Sequence, residues 1–229
     1  MKISIIIPCY NEDKTISLVI NKILSSYTGE KEIIVIDDYS NDKTREILDS
    51  DLKNKIDKII LNDKNYGKGF SIREGINIAE GDIILIQDAD LEYDPSDYNK
   101  LIKPIEKGVA DVVYGSRFIG SEEKRVLYFW HMLGNKLLTL MSNMLTNLNL
   151  TDMEVCYKAF KSNIIKNIRL KENRFGFEPE ITAKIAKKKI RIYEVGVKYY
   201  GRTYQEGKKI TWRDGFSAIR CIIKYNIFN

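Results

Sequence analysis

The first half of the chain switches repeatedly between short apolar runs and stretches with helical spacing, and that alternation limits the fold more than any other feature. Residues 2–8, 32–37, 58–62, 82–87 and 109–115 read as strands. Residues 15–26, 41–52, 68–80 and 97–107 read as helices between them. In the first helix Ile16, Val19, Ile20, Ile23 and Leu24 fall on one face. Asn41 or Asp42 suits the cap of the second, and Gly81 ends the third. Strands and helices alternating at this spacing give an α/β fold, a mostly parallel sheet with helices on both faces. Such sheets bind ligands beyond the carboxyl ends of their strands. Those ends carry Pro8-Cys9-Tyr10-Asn11-Glu12, Asp37-Asp38, Asp88-Ala89-Asp90 and Gly115-Ser116-Arg117. Four polar strand ends on one edge predict a site there.

The second half is less regular. Residues 126–148 read as one or two amphipathic helices, 156–160 as a short strand, 179–188 as a helix, 191–200 as a strand and 212–225 as a closing helix. No repeat, linker or domain boundary interrupts the 229 residues, so 1–229 reads as one domain. The charge is uneven: residues 161–229 hold 17 Lys+Arg against 6 Asp+Glu, and residues 1–160 hold 20 against 26. An acidic front suits metal binding, and a basic back suits phosphate, a membrane surface or nucleic acid. No RNA- or DNA-binding motif is present, so no nucleic-acid partner is expected. Cys9, Cys156 and Cys221 lie far apart and read as reduced thiols. With one histidine and no CxxC, a cysteine/histidine zinc site is excluded. No signal peptide and no apolar run of about 18 residues are found, so a cytoplasmic protein without a transmembrane segment is expected.

Asp88-Ala89-Asp90, after the apolar run Ile83-Ile84-Leu85-Ile86, carries the strongest chemical signal. Two carboxylates two residues apart at a strand end suit one hard divalent cation, magnesium or manganese, with Glu92 as a third ligand. A solvated acidic turn is the plainer reading of the same triplet. Asp37 and Asp38 are adjacent, so at least one is expected to face solvent or a partner, and Asp42 suits a helix cap. The dinucleotide fingerprint is absent, and Gly67-Lys68-Gly69 is not a Walker A loop, which argues against hydride transfer and ATP hydrolysis.

Together, Pro8–Glu12, the Asp-Asp-x-Ser-x-Asp-x-Thr stretch at 37–44, Asn65-x-Gly67-Lys68-Gly69, Gln87-Asp88-Ala89-Asp90-Leu91 and Gly115-Ser116-Arg117 resemble the family 2 glycosyltransferases of the GT-A fold. Within these the chain is most similar to the dolichyl-phosphate mannosyltransferase group of polyprenyl-phosphate sugar transferases, over residues 2–225. The resemblance implies a Rossmann-like nucleotide-sugar-binding half (1–118) and a smaller, irregular acceptor half (119–229). It implies a GDP- or UDP-sugar donor held by Pro8, Tyr10, Asn11, Glu12, Asp37, Asp38, Lys68, Gln87, Asp88 and Ala89. Metal would be bound by Asp88, Asp90 and Glu92, the last standing where the group often has glutamine. Arg202 with Lys208 or Lys209 would form a basic cluster over the diphosphate. Arg117, Arg125 and His131 would meet an acceptor phosphate, and Asp88, Asp90, Arg117, Arg202 and Glu178 would form the catalytic set of an inverting transferase.

The chemistry suits these roles. Charge develops on the leaving diphosphate as the sugar becomes oxocarbenium-like, and a metal with arginine and lysine stabilises it. A lipid phosphate acceptor is already anionic, whereas a saccharide hydroxyl, the alternative acceptor, needs a general base. Glu178 is the candidate base or positioning group, or simply a charge at a helix N-terminus. Residues 126–148 read equally as an interfacial helix on a membrane surface or as a core helix with Leu137, Leu140, Met141 and Leu145 as its packing stripe. Trp212, Phe216, Ile219, Ile222 and Ile223 read as a core stripe of the last helix. Oligomeric state has no signature.

Overall fold

The computed structural model describes residues 1–126, 128–203, 205–207, 209 and 212–228. Its centre is a seven-stranded sheet in the order β3-β2-β1-β4-β6-β5-β7. The strands are β1 (Ile3–Cys9), β2 (Lys31–Asp37), β3 (Lys58–Leu61), β4 (Ile83–Ile86), β5 (Val112–Ser116), β6 (Lys158–Lys161) and β7 (Ile192–Gly196). β3, β2, β1 and β4 are parallel, β6 runs antiparallel to both β4 and β5, and β7 is parallel to β5. β1 and β4 are central and covered on both faces, which is why they are rich in isoleucine and why the one polar residue in them, Ser4, is buried on Glu32.

The helices are α1 (Ile16–Ser26), α2 (Thr44–Asp49), α3 (Lys68–Ile78), α4 (Tyr98–Glu106), α5 (Phe129–Thr146), α6 (Ser162–Ile165), α7 (Phe177–Ala186) and α8 (Trp212–Ile227). α1 buries Ile16, Val19, Ile20 and Ile23 of the face read from the spacing, while the fifth residue, Leu24, is exposed. α2 is shorter than expected, because Asp42 forms a tight turn by accepting the Thr44 N–H (2.9 Å) and the Asp13 N–H (3.2 Å). α7 starts two residues before the expected Pro179. Proline is tolerated there because first-turn N–H groups have no helical partner. β6 starts two residues late, since the Cys156 N–H donates to the Tyr93 hydroxyl (3.3 Å). β7 ends at Gly196 rather than at residue 200. All three cysteines are free and buried.

Registry decides where the site lies. Cys9 pairs with Asp37 and Asp37 with Leu61, so β1, β2 and β3 end level. The directions of β4, β5 and β7 put their carboxyl ends on the same edge. β6 is reversed, so the segment leading into it, residues 151–157, arrives at that edge as well. The two halves read from the sequence therefore share one sheet, with β6 of the second placed between β4 and β5 of the first.

The core-helix reading of α5 fails. Its buried residues are Thr139 and Ser142, while Phe129, Trp130, Leu133, Leu137, Leu140, Met144 and Leu145 are exposed. α8, packed against α5 and α7, buries Ala218, Cys221, Ile222 and Tyr225 but exposes Phe216, Ile223, Ile227 and Phe228. Among the described residues no helix is long and apolar enough to cross a membrane.

Candidate active site

The loop after β1 is fixed by left-handed backbone at Asn11 (φ 51°), a conformation asparagine tolerates. Asn11 donates its N–H to Ser40 Oγ (2.9 Å) and accepts the Asn41 N–H on Oδ1 (2.9 Å). These bonds lock the loops after β1 and β2 together. Thr15 Oγ1 bonds both Glu12 Oε2 (2.7 Å) and the Ala89 carbonyl (3.0 Å), tying in the loop after β4. Pro8 and Tyr10 are half-buried at this edge, and Ala89 is buried beneath it.

Asp37 and Asp38 are both buried, which corrects the expectation that one faces outward. Asp37 accepts Arg45 Nε (2.5 Å) and the Ser40 N–H (3.1 Å). Asp38 accepts Asn62 Nδ2 (2.9 Å) and the N–H groups of Tyr66 (2.9 Å) and Gly67 (2.7 Å). Its carboxylate shapes the loop before α3. Gln87 is withdrawn from the donor edge. It is fully buried, and its Oε1 accepts the hydroxyls of Tyr98 (2.7 Å) and Tyr157 (2.6 Å).

Gly67 and Gly69 bring α3 against the loop before α7. A Cβ on Gly69 would lie 2.5 Å from the Glu172 carbonyl, and Gly67 has φ 105°. This close approach delivers Lys68 to Asp88 Oδ1 (2.8 Å) and Glu178 Oε1 (3.4 Å). Burial pushes the Asp88 carboxyl up, but Lys68 outweighs it, helped by Cys156 and Arg202, and holds it below the usual range.

Asp90 lies at the centre of a second charge cluster. Arg202 Nη2 donates to Asp90 Oδ2 (2.6 Å), and its two terminal nitrogens reach Glu12 at 3.2 and 3.3 Å. Lys209 Nζ bonds Glu12 Oε1 (2.7 Å) and the Tyr10 and Asn11 carbonyls. Glu92 accepts the Arg202 N–H (2.7 Å) and the Tyr199 hydroxyl (3.1 Å), so it anchors the strap that carries Tyr199 and Arg202. Burial, then Asp88 and Glu92, push the Asp90 carboxyl up to about 8 against the pull of Arg202. Among the described residues no three His, Cys, Asp or Glu side chains close on one point. The expected trio Asp88, Asp90 and Glu92 therefore does not converge: Asp88 turns to Lys68 and Glu92 to the strap. Lys208 lies outside the described residues.

Arg117 is clamped by Asp152 through its N–H (3.0 Å), Nε (2.6 Å) and Nη2 (2.7 Å), with Tyr199 across its face (5.2 Å). Asp152 raises its proton affinity despite burial, so it is a permanent cation at the edge. Arg125 stands apart, exposed and held by the Gly201 carbonyl (3.1 Å) and Glu206 (2.7 Å). His131 lies on the first turn of α5 with its ring 5.3 Å from that of Tyr128.

Residue by residue, the edge brings together an acidic cluster (Glu12, Asp88, Asp90, Glu92), a basic strap (Arg202, Lys209) and a fixed cation (Arg117). The Glycosyl transferase family 2 model matches residues 4–169. The chain belongs to glycosyl transferase family 2. An undecaprenyl-phosphate 4-deoxy-4-formamido-L-arabinose transferase of Photorhabdus laumondii is 30% identical over 213 residues, covering 90% of this chain and 62% of that one. A dolichol-phosphate mannosyltransferase of Pyrococcus furiosus is 29% identical over 218 residues, 92% and 61%. The chain thus spans less than two thirds of the length of these relatives. Its fold matches glucosyl-3-phosphoglycerate synthase of Mycobacterium tuberculosis in complex with Mn2+, uridine diphosphate and glucosyl-3-phosphoglycerate, at TM-score 0.77, 17% identity and coverage of 98% and 80%. The fold is GT-A, as the family resemblance implied, and the mostly parallel sheet is the one expected from the alternation of strands and helices.

Two acidic residues of this edge, Asp152 and Glu154, escaped the sequence reading. Glu154 stands between Asp152, which holds Arg117, and Cys156, which reaches Asp88. The sequence signal for both is the alternation of acids with apolar residues before the expected strand.

Proposed function

We propose that this glycosyltransferase moves a sugar from a nucleoside diphosphate sugar to a polyprenyl phosphate at a membrane surface, with inversion at the anomeric carbon. The observation that carries the reading is the juxtaposition of a fixed cation with an exposed apolar helix. Arg117 lies at the strand edge, and the chain beyond it enters α5, whose apolar side chains Phe129, Trp130, Leu133, Leu137 and Leu140 face outward. Trp130 is 76% exposed. Lys124, Arg125 and Lys136 flank this stripe. An apolar face with basic flanks suits an anionic lipid surface.

The donor set fits a divalent cation. Magnesium-type sites use one or two carboxylates and take their remaining oxygens from phosphates and water. Asp90 supplies one carboxylate, and its crowding by Asp88 and Glu92 is an anionic excess that a dication relieves. When bound, manganese or magnesium would neutralise charge on the diphosphate. Asp90 holds it, and Asp88 stays ionised beside Lys68. Arg202 and Lys209, now on Glu12, are the cations for the departing diphosphate. Arg117 orients the acceptor phosphate, which is anionic near pH 7 and needs no base.

A saccharide hydroxyl acceptor is the second reading. Glu178 favours it, a buried carboxylate with Oε2 lacking a donor. The test is transfer from radiolabelled UDP- and GDP-sugars to undecaprenyl phosphate in detergent with manganese. An acid-labile, solvent-extractable product is expected. Label only in water-soluble saccharide would move the assignment to the second reading, and metal-dependent turnover by Asp90→Ala would remove Asp90 from the mechanism.

A further inference from the structure

Residues 152–158 form the wall between the two charged ends of the site. Met153, Val155 and Tyr157 enter the core. The alternate residues face polar groups: Asp152 grips Arg117, Cys156 reaches Asp88, and Lys158 is fully buried with its ammonium on the Val155 carbonyl and 4.9 Å from the Tyr114 ring. Glu154 is the midpoint of this wall. It is half-buried, and its Oε1 is buried without a hydrogen-bond partner.

Glu178 meets the same region from α7. It is 3% exposed, one oxygen lies 3.4 Å from Lys68, and the other, Oε2, has no donor. Two neighbouring carboxylates each retain an unanswered acceptor. Leaving such an oxygen buried without a donor is costly. Burial, then Glu178, push the Glu154 carboxyl up to about 8, while Lys158 and Arg117 pull it down. Groups rich in O–H donors fit.

We propose that Glu154, with Glu178, forms the subsite for the hydroxyl groups of the transferred sugar. This rests on the nucleotide-sugar reading above and adds which residues receive the sugar ring. The place follows from the wall: Asp88 and Lys68 mark the donor end, Arg117 the acceptor end, and the ring that passes between them lies against Glu154. Glutamate serves because hydroxyls donating to it favour its ionised form, in which both oxygens accept.

The two readings separate in one calorimetric titration series. Wild type, Glu154→Gln and Glu154→Ala are titrated with UDP, UDP-glucose, GDP and GDP-mannose, each with Mn2+, and the melting temperature of each variant is recorded. In wild type one nucleotide sugar should bind at least tenfold more tightly than its own nucleoside diphosphate. Glu154→Ala should abolish that preference, Glu154→Gln should weaken it, and both should bind the bare diphosphate within twofold of wild type. An unchanged preference in Glu154→Ala would overturn the proposal. So would equal losses for sugar and diphosphate, which mark a structural role, or no preference in wild type. Failure of wild type to bind any of the four would instead overturn the transferase reading itself.

Discussion

Glu172 is the strongest test of how the last helix is moored to the site. It accepts Arg220 Nη2 (2.6 Å), Lys224 Nζ (2.9 Å) and the Tyr225 hydroxyl (2.8 Å), all from α8. Burial opposes its charge, but these donors pull the carboxyl from 4.5 down to about 2. That gap corresponds to about 3 kcal/mol at 1.36 kcal/mol per tenfold change in proton affinity. Arg220 and Lys224 are 55% and 39% exposed, so solvent screening reduces the expected contribution to about 1–2 kcal/mol. A depressed folded-state value means that the unfolded chain binds the proton first. The stabilisation is therefore complete above about pH 4.5 and is lost as pH falls towards 2. Urea unfolding of wild type and Glu172→Gln at pH 7, 5, 4 and 3 should show a difference of about 1–2 kcal/mol at pH 7 that shrinks across the acid range. A difference below about 0.5 kcal/mol at pH 7, or one that does not change with pH, would refute the assignment.

Gly69→Ala should destabilise by about 1–3 kcal/mol, because its Cβ would meet two backbone carbonyls at 2.5 and 2.9 Å; an unchanged urea midpoint would contradict the packing. Asp152→Asn should cost about 3–5 kcal/mol by leaving the Arg117 charge unpaired, read in the same unfolding assay. Arg202→Ala should lower kcat more than nucleotide affinity if it stabilises the leaving diphosphate, and equal losses would make it a binding residue. Trp130→Glu should reduce sedimentation with anionic vesicles without lowering the melting temperature; unchanged sedimentation would exclude α5 from lipid contact.

The sheet was legible because strands buried on both faces leave long isoleucine runs, and the edge because polar residues cluster where those runs stop. The sequence could not say which way each polar residue turns. Asp38 and Gln87 stand at strand ends as a ligand contact would, yet backbone N–H groups and tyrosine hydroxyls claim them. Glu92 has the charge of a metal ligand but ties down the strap. Asp152 and Glu154 alternate with Met153, Val155 and Tyr157, but the expected strand began only at Cys156, so that alternation went unused. α5 misled in one of its two readings: an apolar stripe looks alike whether it meets a core or faces outward, and only the tertiary partners of the helix decide.

The reversed strand β6 also sets an order of events during synthesis. β4 is all isoleucine and leucine, and one of its two neighbours, β6, begins about 70 residues later in the chain. At roughly 5–20 residues per second, the ribosome leaves that sticky flank open for about 4–14 s. A fragment that stops at residue 118 would never close it, and unpaired apolar strands recruit one another. The nascent chain thus needs shielding during that interval, and no expression fragment ending before Lys161 should stay monomeric.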